Sequence, residues 1–113
     1  MQAAVVADWE RAFEDVDVIV TPTLPGSPAP ADTLLVELPS GHTAAELAYL
    51  RTNAPMNLGG VPSLSLPCGE LDGGLTTNMT LTARRGREDV ALGAGLAFER
   101  ATDGVYADRI APL

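Results

Sequence analysis

The sequence predicts an α/β fold, a partial β-sheet with flanking helices forming a single domain or a fragment of one over residues 1–113, and three observations lead there. Two segments with helical periodicity, 2–15 and 88–102, stand near the ends of the chain. Two alternating segments, 63–68 and 75–83, are separated by a Gly-rich turn, and a β-branched run over 16–21 stops at a proline. With 113 residues and 46% hydrophobic content the chain can bury one modest core, thin in aromatics because only Trp9, Phe13, Tyr49, Phe98 and Tyr106 are available.

Val5, Trp9, Phe13 and Val16 fall at i, i+4, i+8 and i+11, with Asp8, Glu10, Arg11, Glu14 and Asp15 on the other side, so 2–15 reads as an amphipathic helix without a capping residue. Val16-Asp17-Val18-Ile19-Val20-Thr21 is a strand apolar on both faces, which belongs inside a sheet and ends at Pro22, where the ladder donor is missing. Thr23 to Pro30 carries three prolines and reads as a semi-rigid loop. Thr33 to Pro39 has the character of a short edge element.

Thr43-Ala44-Ala45-Glu46 has capping-box spacing, so a helix is expected to start there, carry Leu47, Tyr49 and Leu50 inward, and stop near Ala54 before Pro55. Asn57-Leu58-Gly59-Gly60-Val61-Pro62 reads as a tight connection. Ser63 to Cys68 and Leu75 to Ala83 alternate around the turn Leu71-Asp72-Gly73-Gly74, which predicts an antiparallel hairpin. From Glu88 to Thr102, Val90, Leu92, Leu96, Ala97 and Phe98 recur with helical spacing. Gly93 and Gly95 each weaken that helix by about 1 kcal/mol unless close packing requires them. The tail from Asp103 onward carries no strong pattern, and no internal repeat is present.

Charge excludes several function classes. Seven basic against 15 acidic residues give −8, with residues 1–50 holding eight acids and Arg11 as their sole base. Nucleic acid and anionic membranes both reward clustered cations, so neither is an expected partner. All seven basic residues are Arg. Without a lysine, Schiff-base chemistry, a P-loop and a Ser/Lys pair are impossible within this chain. A single Cys68 and a single His42 allow no disulfide framework and no Cys/His zinc cluster, so no cofactor and no metal is expected. Met1 to Asp8 lacks a basic n-region, no stretch approaches a membrane span, and the cytoplasm is the expected compartment.

Candidate chemistry is sparse. Cys68 and His42 are the sole thiol and imidazole, with no third residue placed to orient the ring; a small buried thiol and a surface histidine explain them more simply. Arg84, Arg85 and Arg87 lie between a strand and a helix and could meet an anion, against the simpler reading of a solvated loop offsetting Glu88 and Asp89. Asp15, Asp17, Asp72 and Asp103 sit at element ends, where turn and cap duties account for them. The glycine pair at 59–60 lacks the spacing of a phosphate loop.

Three blocks in order carry a resemblance: Asp17-Val18-Ile19-Val20-Thr21-Pro22-Thr23 with Pro25-Gly26 and Ala29-Pro30; Asn57-Leu58-Gly59-Gly60-Val61-Pro62-Ser63-Leu64-Ser65-Leu66-Pro67-Cys68-Gly69; and Asp72-Gly73-Gly74-Leu75 through Leu81 to Arg84. With the closing helix around Ala97-Phe98-Glu99, they resemble the C-terminal part of the amidase signature hydrolases, the family that includes the amidase subunit of tRNA-dependent amidotransferases. The resemblance implies a mixed β-sheet covered by helices. It also implies amide hydrolysis through an acyl-enzyme on one serine, with a second serine on a cis peptide bond and a lysine handling the proton. Those residues come before the matched segment in the family, and Ser27, Ser40, Ser63 and Ser65 lie outside its Gly/Ser-rich signature. Where family members commonly show Gly-Leu-Pro-Val-Gly-Leu-Gln-Leu, this chain has Gly74-Leu75-Thr76-Thr77-Asn78-Met79-Thr80-Leu81.

By resemblance, Thr21, Pro22, Thr23, Pro25 and Gly26 would lie near the mouth of the active-site cleft, and Asn57, Gly59 and Gly60 near its wall; strand-end loops without such a role remain the alternative. The chain is therefore expected to be an amidase segment, from a truncated gene, an internal start or a split polypeptide, lacking the Ser-Ser-Lys centre and inactive alone. Its expected partner is the missing N-terminal amidase portion, a small-molecule amide being the substrate only of the complete enzyme. A non-catalytic interaction or oligomerisation module, self-associating through strand edges, is the other reading.

Overall fold

In the computed structural model, which describes residues 1–106, the elements run α1 (Gln2–Ala12), β1 (Val18–Pro22), β2 (Leu35–Leu38), β3 (Gly41–Ala44), α2 (Ala45–Gly59), β4 (Ser63–Glu70), β5 (Thr76–Ala83) and α3 (Glu88–Ala101). The tail beyond residue 106 lies outside the described residues. One sheet has the order β1-β5-β4 and the other pairs β2 with β3, all described pairings being antiparallel. The α/β class with flanking helices is thus present, and the expected hairpin is β4–β5. β4 runs on to Glu70 through an irregularity between Pro67 and Gly69.

β5 is the central strand, and its residues from Thr80 to Ala83 are buried on both faces. β1 is not interior as its apolar character predicted: it lies at the edge, with Val20 60% exposed. Apolar residues on both faces call for neighbours on both sides, and the described residues supply them on one side only.

α1 ends at Ala12, three residues short of the expected 2–15, and Val16 beyond it is exposed. Phe13 closes it by donating its N–H to the Trp9 carbonyl at 3.1 Å, stacks on Trp9 with ring centroids 5.8 Å apart, and is itself buried. The Arg84 guanidinium binds the Phe13 carbonyl, so that carbonyl is engaged by a side chain where the helix stops. The N-terminus of α1 has no side-chain cap, in keeping with the absence of a capping residue.

α2 departs from expectation in three ways, one being that Leu47 and Leu50 are exposed while the small Ala45 and Ala48 on the adjoining face are buried. No capping box forms, because Thr43 is held extended opposite Val36 in β3 and Ala44 takes the N-cap position without a side-chain bond. The helix also continues through Pro55 to Gly59. A helical proline forfeits one backbone bond and strains the turn by about 3 kcal/mol. Tertiary contacts offset this: the Trp9 indole N–H donates to the Pro55 carbonyl at 2.9 Å, and Gly59 packs directly beneath the indole. Gly60, with φ 62° and ψ 34°, then closes the helix, its N–H bonding the Asn57 carbonyl while the Val61 N–H bonds that of Met56.

α3 spans nearly the expected residues but presents a different face. Ala91 and Gly95 are buried, whereas Leu92 and Leu96 are exposed. Small residues four apart let the helix approach the sheet closely, and Leu64 Cδ2 would lie 2.5 Å from a Cβ at position 95. Gly93 meets nothing in this way. The Leu64 contact involves a mobile methyl at the end of a side chain, so Gly95→Ala is expected to change stability by less than about 1 kcal/mol, the gain in helix propensity offsetting the crowding. Urea unfolding followed by circular dichroism checks it.

Two small cores result. One gathers Val36, Ala45 and Ala48 between β2 and α2, with Ala29, Leu38 and Tyr49 around them. Leu66, Leu81, Ala83 and Ala91 are the buried hydrophobic residues described in the β1-β5-β4 sheet and α3. Among the described residues, no helix is long and apolar enough to cross a membrane.

Candidate functional site

The register of the larger sheet puts hydroxyl side chains in rows. Thr21, Thr80 and Ser65 lie opposite one another on one row, and Ile19, Thr82 and Ser63 on the next. Directly paired residues share a face, so sequence alternation in three separate strands becomes a single polar face. Thr23, just beyond β1, joins it: its Oγ1 is 2.8 Å from Thr80 Oγ1 and 3.1 Å from Ser65 Oγ. Ser63 Oγ and Thr82 Oγ1 are 3.1 Å apart. Thr80 and Thr82 are buried, and the buried Oγ1 of Thr21 has no hydrogen-bond partner.

Beside this network is a cleft of about 190 Å³, walled by Thr23, Leu24, Gly26 and Pro28 on one side and by Leu71, Thr76, Thr77 and Asn78 on the other. Gly26 packs closely against β2, where a Cβ would come 3.0 Å from the Glu37 carbonyl oxygen. No titratable side chain lines the cleft. Its walls can shape and hydrogen-bond a neutral polar group, and they offer no acid, base or nucleophile activated by a neighbouring base.

Asn57, Gly59 and Gly60 stand elsewhere. They form the end of α2, where Arg85 donates to the Gly59 carbonyl at 2.6 Å and a second cleft, of about 500 Å³, opens past Trp9 and Val61. Val18 pairs with Ala83 near this end of the sheet, whereas Pro22 pairs with Met79 at the other. The structure therefore brings Thr21, Pro22, Thr23, Pro25 and Gly26 into one region and Asn57, Gly59 and Gly60 into another, and does not join the two within the described residues.

The three arginines are committed to neighbours. Arg84 and Arg85 hold the carbonyls of Phe13 and Gly59, and Arg87 forms a two-pronged pair with Asp89, with both bonds at 2.9 Å. That hydrogen-bonded pairing raises the Arg87 pKa and lowers that of Asp89. The pair is exposed to solvent and lies at the first turn of α3, where a carboxylate also complements the helix dipole. The solvated-loop reading holds for Arg87, while Arg84 and Arg85 tie α1 and α2 to the end of β5.

Cys68 and His42 do not form a pair. The thiol lies 3.7 Å from the Thr77 carbonyl as a weak donor, and His42 sits opposite Glu37 in the other sheet, beside a cleft it shares with Ser27. Asp15 and Asp17 flank the entry to β1, Asp72 occupies the β4–β5 turn, and Asp103 takes φ 52° after α3, all consistent with turn duties. No group of His, Cys, Asp and Glu able to hold a metal is found among the described residues. Sequence reading did not anticipate the Trp9–Pro55–Gly59 contact, which joins residues 46 or more apart and leaves no local pattern. The hydroxyl face was visible as Ser and Thr alternation, but its union with Thr23 required the strand register.

Residues 1–92 match the Amidase family, and the chain belongs to it. Among its relatives is a glutamyl-tRNA(Gln) amidotransferase subunit from Acaryochloris marina, 41% identical over 96 residues, which are 85% of this chain and 19% of the relative. The corresponding amidotransferase subunit from Streptococcus equi subsp. zooepidemicus is 36% identical over 103 residues, covering 91% of this chain and 20% of its own length. An amidase crystal structure superposes with a TM-score of 0.80 at 27% identity, covering 89% of this chain and 23% of that one. A protein from a vestigial complex related to an s-triazine catabolic enzyme shares the fold, with a TM-score of 0.75 at 24% identity. The chain thus spans about a fifth of the length of the relatives it matches.

Proposed function

We propose that this chain supplies the C-terminal segment of an amidase signature hydrolase and does not break amide bonds by itself. The observation that carries this reading is the disparity in coverage: 85% of the chain aligns with an amidotransferase subunit, yet only 19% of that relative is represented. The chemistry agrees. The resemblance places the two serines and the lysine outside this segment, and the sequence contains no lysine at all. The cleft beside Thr23 carries hydrogen-bonding walls without a titratable group, as suits a contribution to substrate access in a complete enzyme. Such a wall would favour a neutral amide over a charged ligand, since no side chain there could neutralise a buried charge.

The test is ammonia release from simple primary amides. The 113-residue chain and its Cys68→Ala variant are both expected to give none above buffer. Turnover that survives Cys68→Ala would overturn the reading, and turnover abolished by it would instead establish a thiol enzyme.

A second reading, a non-catalytic interaction module, is favoured by the exposed apolar residues Val20, Leu92 and Leu96. Light scattering after size exclusion separates the possibilities: a stable, well-behaved monomer would argue against a missing portion and an edge-pairing partner alike.

A further inference from the structure

We propose that the Asp72–Gly73 peptide is a site of spontaneous backbone isomerisation, a modification that turns Asp72 into isoaspartate at the tip of the β4–β5 hairpin. This goes beyond the amidase reading and does not depend on it.

The chemistry requires an aspartate carboxyl beside a backbone nitrogen that is free to attack it. Asp72 and Asp103 are the described aspartates that precede glycine; the others precede Trp, Val or Thr, whose branched or bulky side chains crowd the attacking nitrogen. By sequence the two glycyl sites rank equally. Their surroundings separate them.

Asp72 and Gly73 are both exposed. The turn is held by the Leu71 N–H, which donates to the Leu75 carbonyl at 2.7 Å, and by the Gly74 N–H, which donates to that of Leu71 at 3.2 Å. These bonds leave the Gly73 N–H without a partner among the described residues. A Cβ at position 73 would meet nothing within 4 Å, so the space around this nitrogen is open. Gly73 and Gly74, with φ of 85° and 80°, also let the backbone rotate toward the reactive geometry without a Cβ penalty.

The Asp103–Gly104 peptide is held. The Gly104 N–H donates to the Glu99 carbonyl at 2.8 Å and the Asp103 N–H to that of Arg100 at 3.3 Å, together closing α3. The Gly104 nitrogen must leave its carbonyl before it can attack, which slows this site by about fivefold or more.

The step balances without oxidant or cofactor. The Gly73 nitrogen attacks the side-chain carbonyl carbon of the protonated Asp72 carboxyl, a C–N bond forms, and the carboxyl hydroxyl leaves with the amide proton as water. Water then adds to the resulting succinimide. Opening at the side-chain carbonyl breaks the new bond and restores aspartate; opening at the main-chain carbonyl breaks the original peptide bond and routes the chain through the former side chain. The backbone gains a methylene between Leu71 and Thr76, two residues that wall the cleft beside Thr23.

The test ages the full 113-residue chain in warm, mildly acidic buffer, both native and unfolded in guanidinium chloride. Trypsin releases the two sites on separate peptides, 52–84 and 101–109, and fragmentation in a mass spectrometer locates isoaspartate in each. In the native chain Asp72 is expected to convert at least about fivefold faster than Asp103, and in the unfolded chain the two rates should agree within about twofold. Asp72→Glu, whose longer side chain must close a larger ring, should lose the signal in 52–84 and keep that in 101–109. Native rates that are equal, or faster at Asp103, would sink the proposal, as would a turn that reacts only when unfolded. A preference for Asp72 that persists undiminished in guanidinium chloride would show that the free N–H is not its cause and overturn the structural argument.

Discussion

Replacing Leu81 by Ala is expected to lower the unfolding free energy by about 2–5 kcal/mol, the cost of emptying a leucine-sized volume in a packed interior. Leu81 is 4% exposed and sits midway along the one strand that, among the described residues, has partners on both sides, opposite Val20 in β1 and Leu64 in β4. Leu64 in turn meets α3 at Gly95, so the loss reaches three strands and a helix together. Domains of this size are stable by about 5–15 kcal/mol, which makes the substitution a large fraction of the total. Thr76→Ala, at the exposed start of the same strand, should stay within about 0.5 kcal/mol. Urea unfolding followed by circular dichroism gives both values; a Leu81→Ala cost under about 1 kcal/mol would show that this sheet is not the centre of stability.

Gly59→Ala is expected to cost about 1–3 kcal/mol for a different reason, overpacking. A methyl at this position would collide with the Trp9 indole, lying 2.6 Å from Nε1 and nearer still to Cδ1, and a rigid ring cannot bend away as a leucine methyl can. The indole must move, and its bond to the Pro55 carbonyl goes with it. Because Trp9 is the only tryptophan in the sequence, its fluorescence reports the event directly: the emission of Gly59→Ala should shift to longer wavelength as the ring meets water. An unshifted spectrum with unchanged stability would show that α1 does not dock on α2 as described. The contrast with Gly95→Ala isolates the cause, since both glycines are helical and buried and only the hardness of the neighbour differs.

Much of the fold was legible in the residues. The β4–β5 hairpin followed from alternation about a Gly-Gly turn, and the span of α3 followed from its periodicity to within a residue. Two of the α2 departures were local rules overruled at a distance. Thr43 has a capping residue's chemistry but was claimed by pairing with Val36, and Pro55 should break a helix but is held within one by Trp9 and Gly59. The packing face of α3 was misread because hydrophobicity favoured Leu92 and Leu96, whereas close approach to the sheet selected Ala91 and Gly95.

What the sequence determined alone was composition-level chemistry and local shape: the lack of a lysine, the alternating strands, the proline-bounded strand ends and the family they belong to. These are properties of single residues and short windows, and they survive whatever surrounds them. The tertiary structure alone decided that Thr23, Ser65 and Thr80 share one network, that the predicted site residues fall into two regions, and that β1 stands at an edge of the sheet formed by the described residues. Strand order and register are relations between residues as distant in the chain as Val18 and Ala83, and no short window of sequence encodes them.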